Sequence, residues 1–334
     1  MSNKNMKITL AKRPIGMPDK SCFEFSETQA GQPAKGEVLV KTLYLSVDPY
    51  MRGRMNDAKS YMPPFNLNET ITGSGVGEII ESNAEGFSEG DYVTGKFKWE
   101  KFPVLPVSDL RKVDSGAAPL TAYLNILGPT GLTAYFGIMD IGKPKPGETF
   151  VVSGAAGAVG SVAGQIAKLL GCRVVGIAGS DEKVQMLKEK FGFDEAINYK
   201  TEKDIKAALQ KACPNGIDIY FDNVGGEISD AAISLINFGA RIPLCGQIAY
   251  YNTTEELQGP RVTSTILLRM ALMQGFLILN YAERFPEGLA KLAEWYKAGK
   301  LQMVESVTEG FENLPDAFLG LFTGKNTGKQ VVKV

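Results

Sequence analysis

The stretch TFVVSGAAGAVGSVAGQIAKLLGCRVVGIAGSDEK, residues 149–183, decides the fold. An apolar run, Phe150–Val152, meets a turn of small residues. A segment with helical spacing follows (Val159, Val162, Ile166, Leu169, Leu170), and then a second apolar run, Val174–Ile177. This order predicts a βαβ unit with a glycine-rich first turn. Such a turn lets the backbone approach a pyrophosphate, whose charge settles among the N–H groups of a helix N-terminus. The segment therefore predicts dinucleotide binding.

The glycine fingerprint departs from G-x-G-x-x-G by one residue. In strict register the positions hold Ala155, Ala156, Gly157, Ala158, Val159 and Gly160, so alanine replaces the first glycine and Gly154 precedes it. Gly157 is left for close backbone approach and Gly160 for packing helix on strand. The acidic residue that would hold an adenosine ribose 2′-OH is expected about 20 residues on. Ala178 and Gly179 stand there instead. The S-D-E-K that follows reads as a helix start, with Ser180 as N-cap and two acids in the first turn. Lys183 then reaches a 2′-phosphate, and the missing carboxylate favours NADP over NAD.

Outward from this segment, 334 residues suffice for two domains at about 100–200 residues each. No apolar run reaches the roughly 18 residues of a membrane span, and MSNKNMKITL lacks the apolar centre of a secretory signal, so a cytoplasmic protein is expected. A net charge of −1 offers no basic surface for nucleic acid. Cys22, Cys172, Cys213 and Cys245 form no C-x-x-C pair, which argues against a disulfide framework or a four-thiolate zinc site. Histidine is absent. That removes the Ser-His-Asp triad, histidine acid–base chemistry and the imidazole ligands of most catalytic zinc sites, so no metal ligand set is expected.

Up to about Asn125 the chain is turn-rich, with alternating segments at Glu37–Leu45, Ser74–Glu81 and Asp91–Phe97, which suits an antiparallel β domain. An apolar helical stretch spans 121–142, and K-P-K-P-G at 143–147 punctuates the start of the dinucleotide domain. Strands are then expected at 149–153, 172–177, 195–198, 217–222, 240–245 and 274–279. Helices are expected near 158–170, 181–191, 202–212, 227–237, 263–271 and 284–299. Six strands with crossovers make a doubly wound parallel sheet. The tail changes pattern again, with a strand near 302–307, a helix near 313–322 and a last strand at 330–334, and is expected to return to the first domain. The boundaries are thus 1–125, completed by 301–334, and 126–300.

The stretches LYLSVDPYMRGRM (43–55), GLTAYFG (131–137), GSDEK (179–183), NYK (198–200), YFDNVGGE (220–227), CGQIAYYN (245–252) and EGFENLPDAFLGLFTGKNTGK (309–329) resemble the zinc-independent medium-chain dehydrogenase/reductases. Within these the chain is similar to the leukotriene dehydrogenase/prostaglandin reductase group of NADPH-dependent alkenal/one oxidoreductases. The resemblance implies a GroES-like catalytic β domain, an inserted Rossmann domain, and hydride transfer from NADPH to the β-carbon of an α,β-unsaturated ketone or aldehyde. It also implies site residues. Gly157, Ala158, Val159 and Gly160 form the pyrophosphate turn; Ser180, Lys183 and Tyr199 hold the adenosine phosphate end. Asn223, Cys245, Gly246, Gln247, Ile248, Tyr251, Phe276, Leu277, Ile278 and Asn326 line the ribose and nicotinamide, and Tyr50 and Tyr251 face the substrate. Arg52 reads as structural, in a salt bridge beneath the motif. Where zinc-dependent relatives carry G-H-E, this chain has Thr72-Gly73-Ser74, and the proline-rich loop of animal members is not reproduced around Gly259-Pro260-Arg261. A homodimer joined through the cofactor domains is also implied, and the apolar 266–279 stretch would supply a sheet edge to cover. A quinone reductase of the same superfamily and a non-catalytic NADPH-binding sensor stay open as alternatives.

Overall fold

The computed structural model describes residues 4–334. These fall into two compact units. The first comprises the described residues up to Leu124 with Glu305–Asn326 and Gln330–Val334; the second comprises Asn125–Val304 and Thr327–Lys329.

In the first unit, β1 (Lys4–Leu10) and β2 (Phe23–Gln29) form an antiparallel pair. The larger sheet contains β3 (Glu37–Ser46), β4 (Thr72–Ser82), β5 (Tyr92–Lys98), β6 (Val104–Pro106) and β7 (Leu110–Val113), joined by β14 (Glu305–Glu309) and β15 (Lys329–Lys333) from the tail. Its order is β14-β15-β3-β4-β5-β7, with β6 on β3. The alternating pattern of β3 to β5 gives antiparallel pairs, as the sequence suggests. Aromatic side chains fill the core: Trp99, Phe97, Phe311 and Phe318 are fully buried, with Phe23 stacked on Trp99 at 6.1 Å. A single turn of helix, α1 (Met51–Arg54), follows Tyr50. Arg52 is buried there and donates to Asn56 Oδ1 at 2.6 Å and to the Gly16 carbonyl at 2.8 Å, which is a structural role.

The second unit is a parallel sheet of β8 (Thr149–Val152), β9 (Arg173–Ala178), β10 (Glu195–Asn198), β11 (Ile217–Phe221), β12 (Ile236–Leu244) and β13 (Leu272–Gly275). The order is β10-β9-β8-β11-β12-β13, which counted from β8 is 3-2-1-4-5-6, the doubly wound dinucleotide-binding arrangement. Its strands read as near-continuous apolar runs because helices cover both faces. The helices are α2 (Pro129–Phe136), α3 (Ala158–Leu169), α4 (Asp181–Glu189), α5 (Ile205–Ala212), α6 (Gly226–Ile233), α7 (Thr263–Leu268) and α8 (Phe285–Lys297); α9 (Leu314–Gly320) belongs to the tail.

Three expectations change. The helical stretch at 121–142 is not one helix: a 3-10 turn (Leu120–Leu124) is separated from α2 by an extended Gly128, Pro129 opens α2, and a π-helical turn, Gly137–Gly142, ends it. Proline suits a helix's first position and lacks the N–H to continue an earlier one. The fifth strand begins at Ile236 instead of 240, and the preceding helix ends at Ile233. Ile236 pairs with Ile217, and Gly239 at φ +69° absorbs the register shift before Arg241 pairs with Ile219. The sixth strand stops at Gly275, because Phe276 leaves the sheet to pack edge-on against Phe221. Its ring tip lies 2.6 Å from where a Cβ on Gly137 would stand.

Candidate active site

At the carboxyl end of β8 the small-residue turn takes the shape its sequence requires. Gly154 has φ +58°, a conformation that suits glycine. It supplies the tight turn that the fingerprint assigns to the next residue, while Ala155 is fully buried with its N–H on the Ile177 carbonyl at 3.0 Å. A Cβ on Gly160 would lie 2.3 Å from the Gly154 carbonyl oxygen, so only glycine lets α3 sit this close to the turn. Gly157 caps α3, and Ala158 and Val159 form its first turn, half-buried, where N–H groups lack intrahelical partners. Gly328 donates to the Ala156 carbonyl at 2.7 Å, which ties Thr327–Lys329 to this turn and to the second unit. Such a cradle fits a pyrophosphate.

At the next strand ends, Ser180 accepts the Lys183 N–H on its Oγ at 3.3 Å and so caps α4, as the sequence indicates. The ring of Tyr199 lies against Gly179: a Cβ there would be 2.9 Å from the ring edge. Asn198 braces this corner, donating to Asp181 Oδ1 at 2.7 Å and accepting the Lys200 N–H at 3.1 Å. Burial, and then the charge of Lys200, hold the Lys183 ammonium below its usual range. Two lysines, a tyrosine and a hydroxyl thus gather beyond the ends of β9 and β10, a donor set that fits a phosphate. Neither Asn198 nor Lys200 carries a signal in the sequence beyond the N-Y-K stretch.

The end of β11 holds a residue that sequence reasoning passed over. Asp222 is fully buried, and its carbonyl accepts the N–H groups of Cys245 (2.8 Å) and Gly246 (3.1 Å). Beside it Asn223 donates its backbone N–H to Ser153 Oγ at 2.9 Å and its side-chain amide to the Ser153 carbonyl at 2.8 Å. Burial, reinforced by Asp222, pushes the Cys245 thiol up to about 12. Tyr251 follows a 3-10 turn (Ile248–Tyr250) and its phenol oxygen accepts the Gln247 N–H at 3.3 Å. Burial, with Cys245 and Asp222, raises this phenol above its ordinary value. Leu277 and Ile278 lie past β13, at the start of a 3-10 turn.

In the first unit, Tyr50 lies close to the Arg54 guanidinium. Arg54 donates to the Pro63 carbonyl (3.0 Å) and Thr72 Oγ1 (3.2 Å) and lies 4.0 Å over the Phe65 ring. Burial, then Asp48, raises the Tyr50 phenol well above the ordinary range. Asn326 lines a shallow polar groove with Thr308, Asn313, Lys325 and Gln330.

Residues 6–113 match the family described as N-terminal domain of oxidoreductase, and residues 158–295 the family described as zinc-binding dehydrogenase. The chain is 43% identical to the NADPH-dependent curcumin reductase of Escherichia coli (strain K12), over 99% of this chain and 97% of that protein. It is 44% identical to the 2-alkenal reductase (NADP(+)-dependent) of Nicotiana tabacum over the same shares. The crystal structure of CurA in complex with NADPH from Vibrio vulnificus superposes with a TM-score of 0.93 at 43% identity, covering 98% of this chain and 99% of that one.

The chain is a zinc-independent medium-chain dehydrogenase/reductase. Membership in this branch agrees with the donor set, despite the second family's description. The reductase has no histidine, and among the described residues no three His, Cys, Asp or Glu side chains converge. No helix among them is long and apolar enough to cross a membrane.

Proposed function

We propose that this reductase saturates the C=C bond of α,β-unsaturated ketones and aldehydes with NADPH. The supporting observation is its similarity, over nearly its whole length, to the curcumin and 2-alkenal reductases. NADPH, when bound, supplies the hydride delivered to the β-carbon. The protein's part is to fix the cofactor and to stabilise charge growing on the carbonyl oxygen. Gly157–Gly160 and the N-terminus of α3 would hold the pyrophosphate, with Ser180, Lys183 and Tyr199 at the 2′-phosphate and Asn223 with the 245–248 backbone at the ribose and ring. A hydroxyl has one proton and two lone pairs. With Gln247 donating to its oxygen, the Tyr251 O–H is left to donate to the substrate carbonyl. Tyr50, close to Arg54, is the second candidate for this task. Phe276, Leu277, Ile278 and Asn326 complete the cofactor residues of this reading.

Tyr251 and most of the proposed cofactor residues belong to the second unit, and Tyr50 and Asn326 to the first. Turnover of NADPH with a panel of enones, enals, quinones and alcohols tests the proposal. Preference for enones and enals supports it; preference for quinones would make the protein a quinone reductase. Cofactor binding without any turnover would make it a sensor.

We also infer a homodimer formed along β13, one of the two edge strands of the parallel sheet. Leu267, Leu268, Met270, Leu272 and Leu279 are exposed beside it, Leu267 by 76%. An uncovered apolar edge invites pairing. Sedimentation at the 36.1 kDa of one chain at micromolar concentration would refute this. A cytoplasmic location belongs to the same reading and suits four free cysteines, three of them buried.

A further inference from the structure

Asp222 lies one residue past β11 and beside the end of β8, the point at which the strand order reverses and a crevice opens beyond the strand ends. Its carboxylate accepts five hydrogen bonds, every one from a neutral donor. Oδ1 takes Ser153 Oγ (3.0 Å), Tyr220 Oη (2.9 Å) and the N–H groups of Val224 and Gly225 (3.0 Å each); Oδ2 takes Ser229 Oγ (2.8 Å). Hydrogen bonds to an ionised group are the strong ones, and they fix the turn that carries Asn223. A fully buried charge is nonetheless costly, and neutral donors do not cancel it. Its field extends beyond its own turn, because it contributes to raising both the Cys245 thiol and the Tyr251 phenol.

A nicotinamide ring is neutral when reduced and cationic when oxidised. Close to the ring, a fixed negative charge in the protein interior favours the cationic form and the positive charge that builds as hydride departs. We propose that Asp222 is an electrostatic positioning residue of the nicotinamide end: its buried carboxylate biases the site toward the oxidised cofactor, while its hydrogen bonds hold Asn223 and the 245–246 backbone in place. The inference rests on the reading that the ring end of NADPH lies beyond β8, β11 and β12. The bias favours hydride donation over hydride recovery.

The test is the dissociation constants of NADPH and NADP+, measured by fluorescence and calorimetry on the full chain, Asp222→Asn and Ser229→Ala. In Asp222→Asn the NADP+ constant should rise about tenfold more than the NADPH constant, the scale of one unit charge in a partly screened interior. Ser229→Ala keeps the charge and removes one neutral donor, so its ratio of NADPH to NADP+ dissociation constants should equal or exceed that of the unaltered chain. Equal weakening of both forms in Asp222→Asn overturns the electrostatic role. No change in either constant, with Asn223→Ala equally silent, overturns the placement of the ring end as well. If Asp222→Asn fails to fold, a fall of that ratio in Ser229→Ala overturns the proposal by itself.

Discussion

The phenol oxygen of Tyr251 accepts the backbone N–H of Gln247, four residues earlier, at 3.3 Å. One lone pair is thereby engaged and the ring is held at the strand ends with its proton directed elsewhere. If that proton goes to the substrate carbonyl, Tyr251→Phe should slow enone reduction with little change in NADPH affinity. A central donor of this kind is worth about 100–1,000-fold. If ribose hydroxyls of the bound cofactor share the role, the loss should fall below that range. Unchanged turnover across several enones would remove Tyr251 from the mechanism.

The same phenol sets an expectation for pH. Burial, with Cys245 and Asp222, raises it above the ordinary value, so the proton-bearing form persists through neutral and mildly alkaline solution. A raised phenol loses its proton only as pH climbs past its elevated value. The alkaline fall of kcat due to Tyr251 should therefore lie above about pH 10. A fall between pH 7 and 9 that disappears in Tyr251→Phe would contradict this.

Lys183→Ala should weaken NADPH far more than NADH. A charge-assisted hydrogen bond of about 1.5–3 kcal/mol corresponds to roughly 10–100-fold in affinity. Titrations of both cofactors decide the matter, and equal losses would mean that Lys183 does not meet the 2′-phosphate.

Activity should be indifferent to chelators, and metal analysis should find less than stoichiometric zinc. The reason is the donor set: no histidine, and four cysteines far apart in the sequence. Loss on chelation with recovery on adding zinc would overturn it.

Arg241 on β12 grips Glu148 with two nitrogens, at 3.0 and 2.5 Å, and donates to the Gly142 and Lys143 carbonyls. Both side chains are mostly buried. Arg241→Ala should therefore cost about 2–4 kcal/mol of stability, less than the loss at a fully buried pair. Denaturant unfolding measures it, and a change below about 1 kcal/mol would show that the pair is well solvated.

The sequence by itself determined the parallel sheet, its six strands and the glycine turn, because period, small residues and helix caps are local properties. Ser180 is a cap wherever its helix begins, and β10 falls on 195–198 as read. Tertiary pairing decided what local pattern leaves open. Ile236 joins a strand, not the preceding helix, because Ile217 stands opposite it. Phe276 turns away from β13 because Phe221 and the bare Cα of Gly137 offer its ring a place. Asp222 was invisible as a buried hub: its donors Ser153, Tyr220 and Ser229 span 77 positions of chain, from residue 153 to residue 229. An acid beside Asn and Gly in sequence looks like any turn residue. The neighbouring ends of β8 and β11, the Val224–Gly225 turn and Ser229 on α6 together bring hydroxyls and amides around its carboxylate, so its role exists in the folded chain alone.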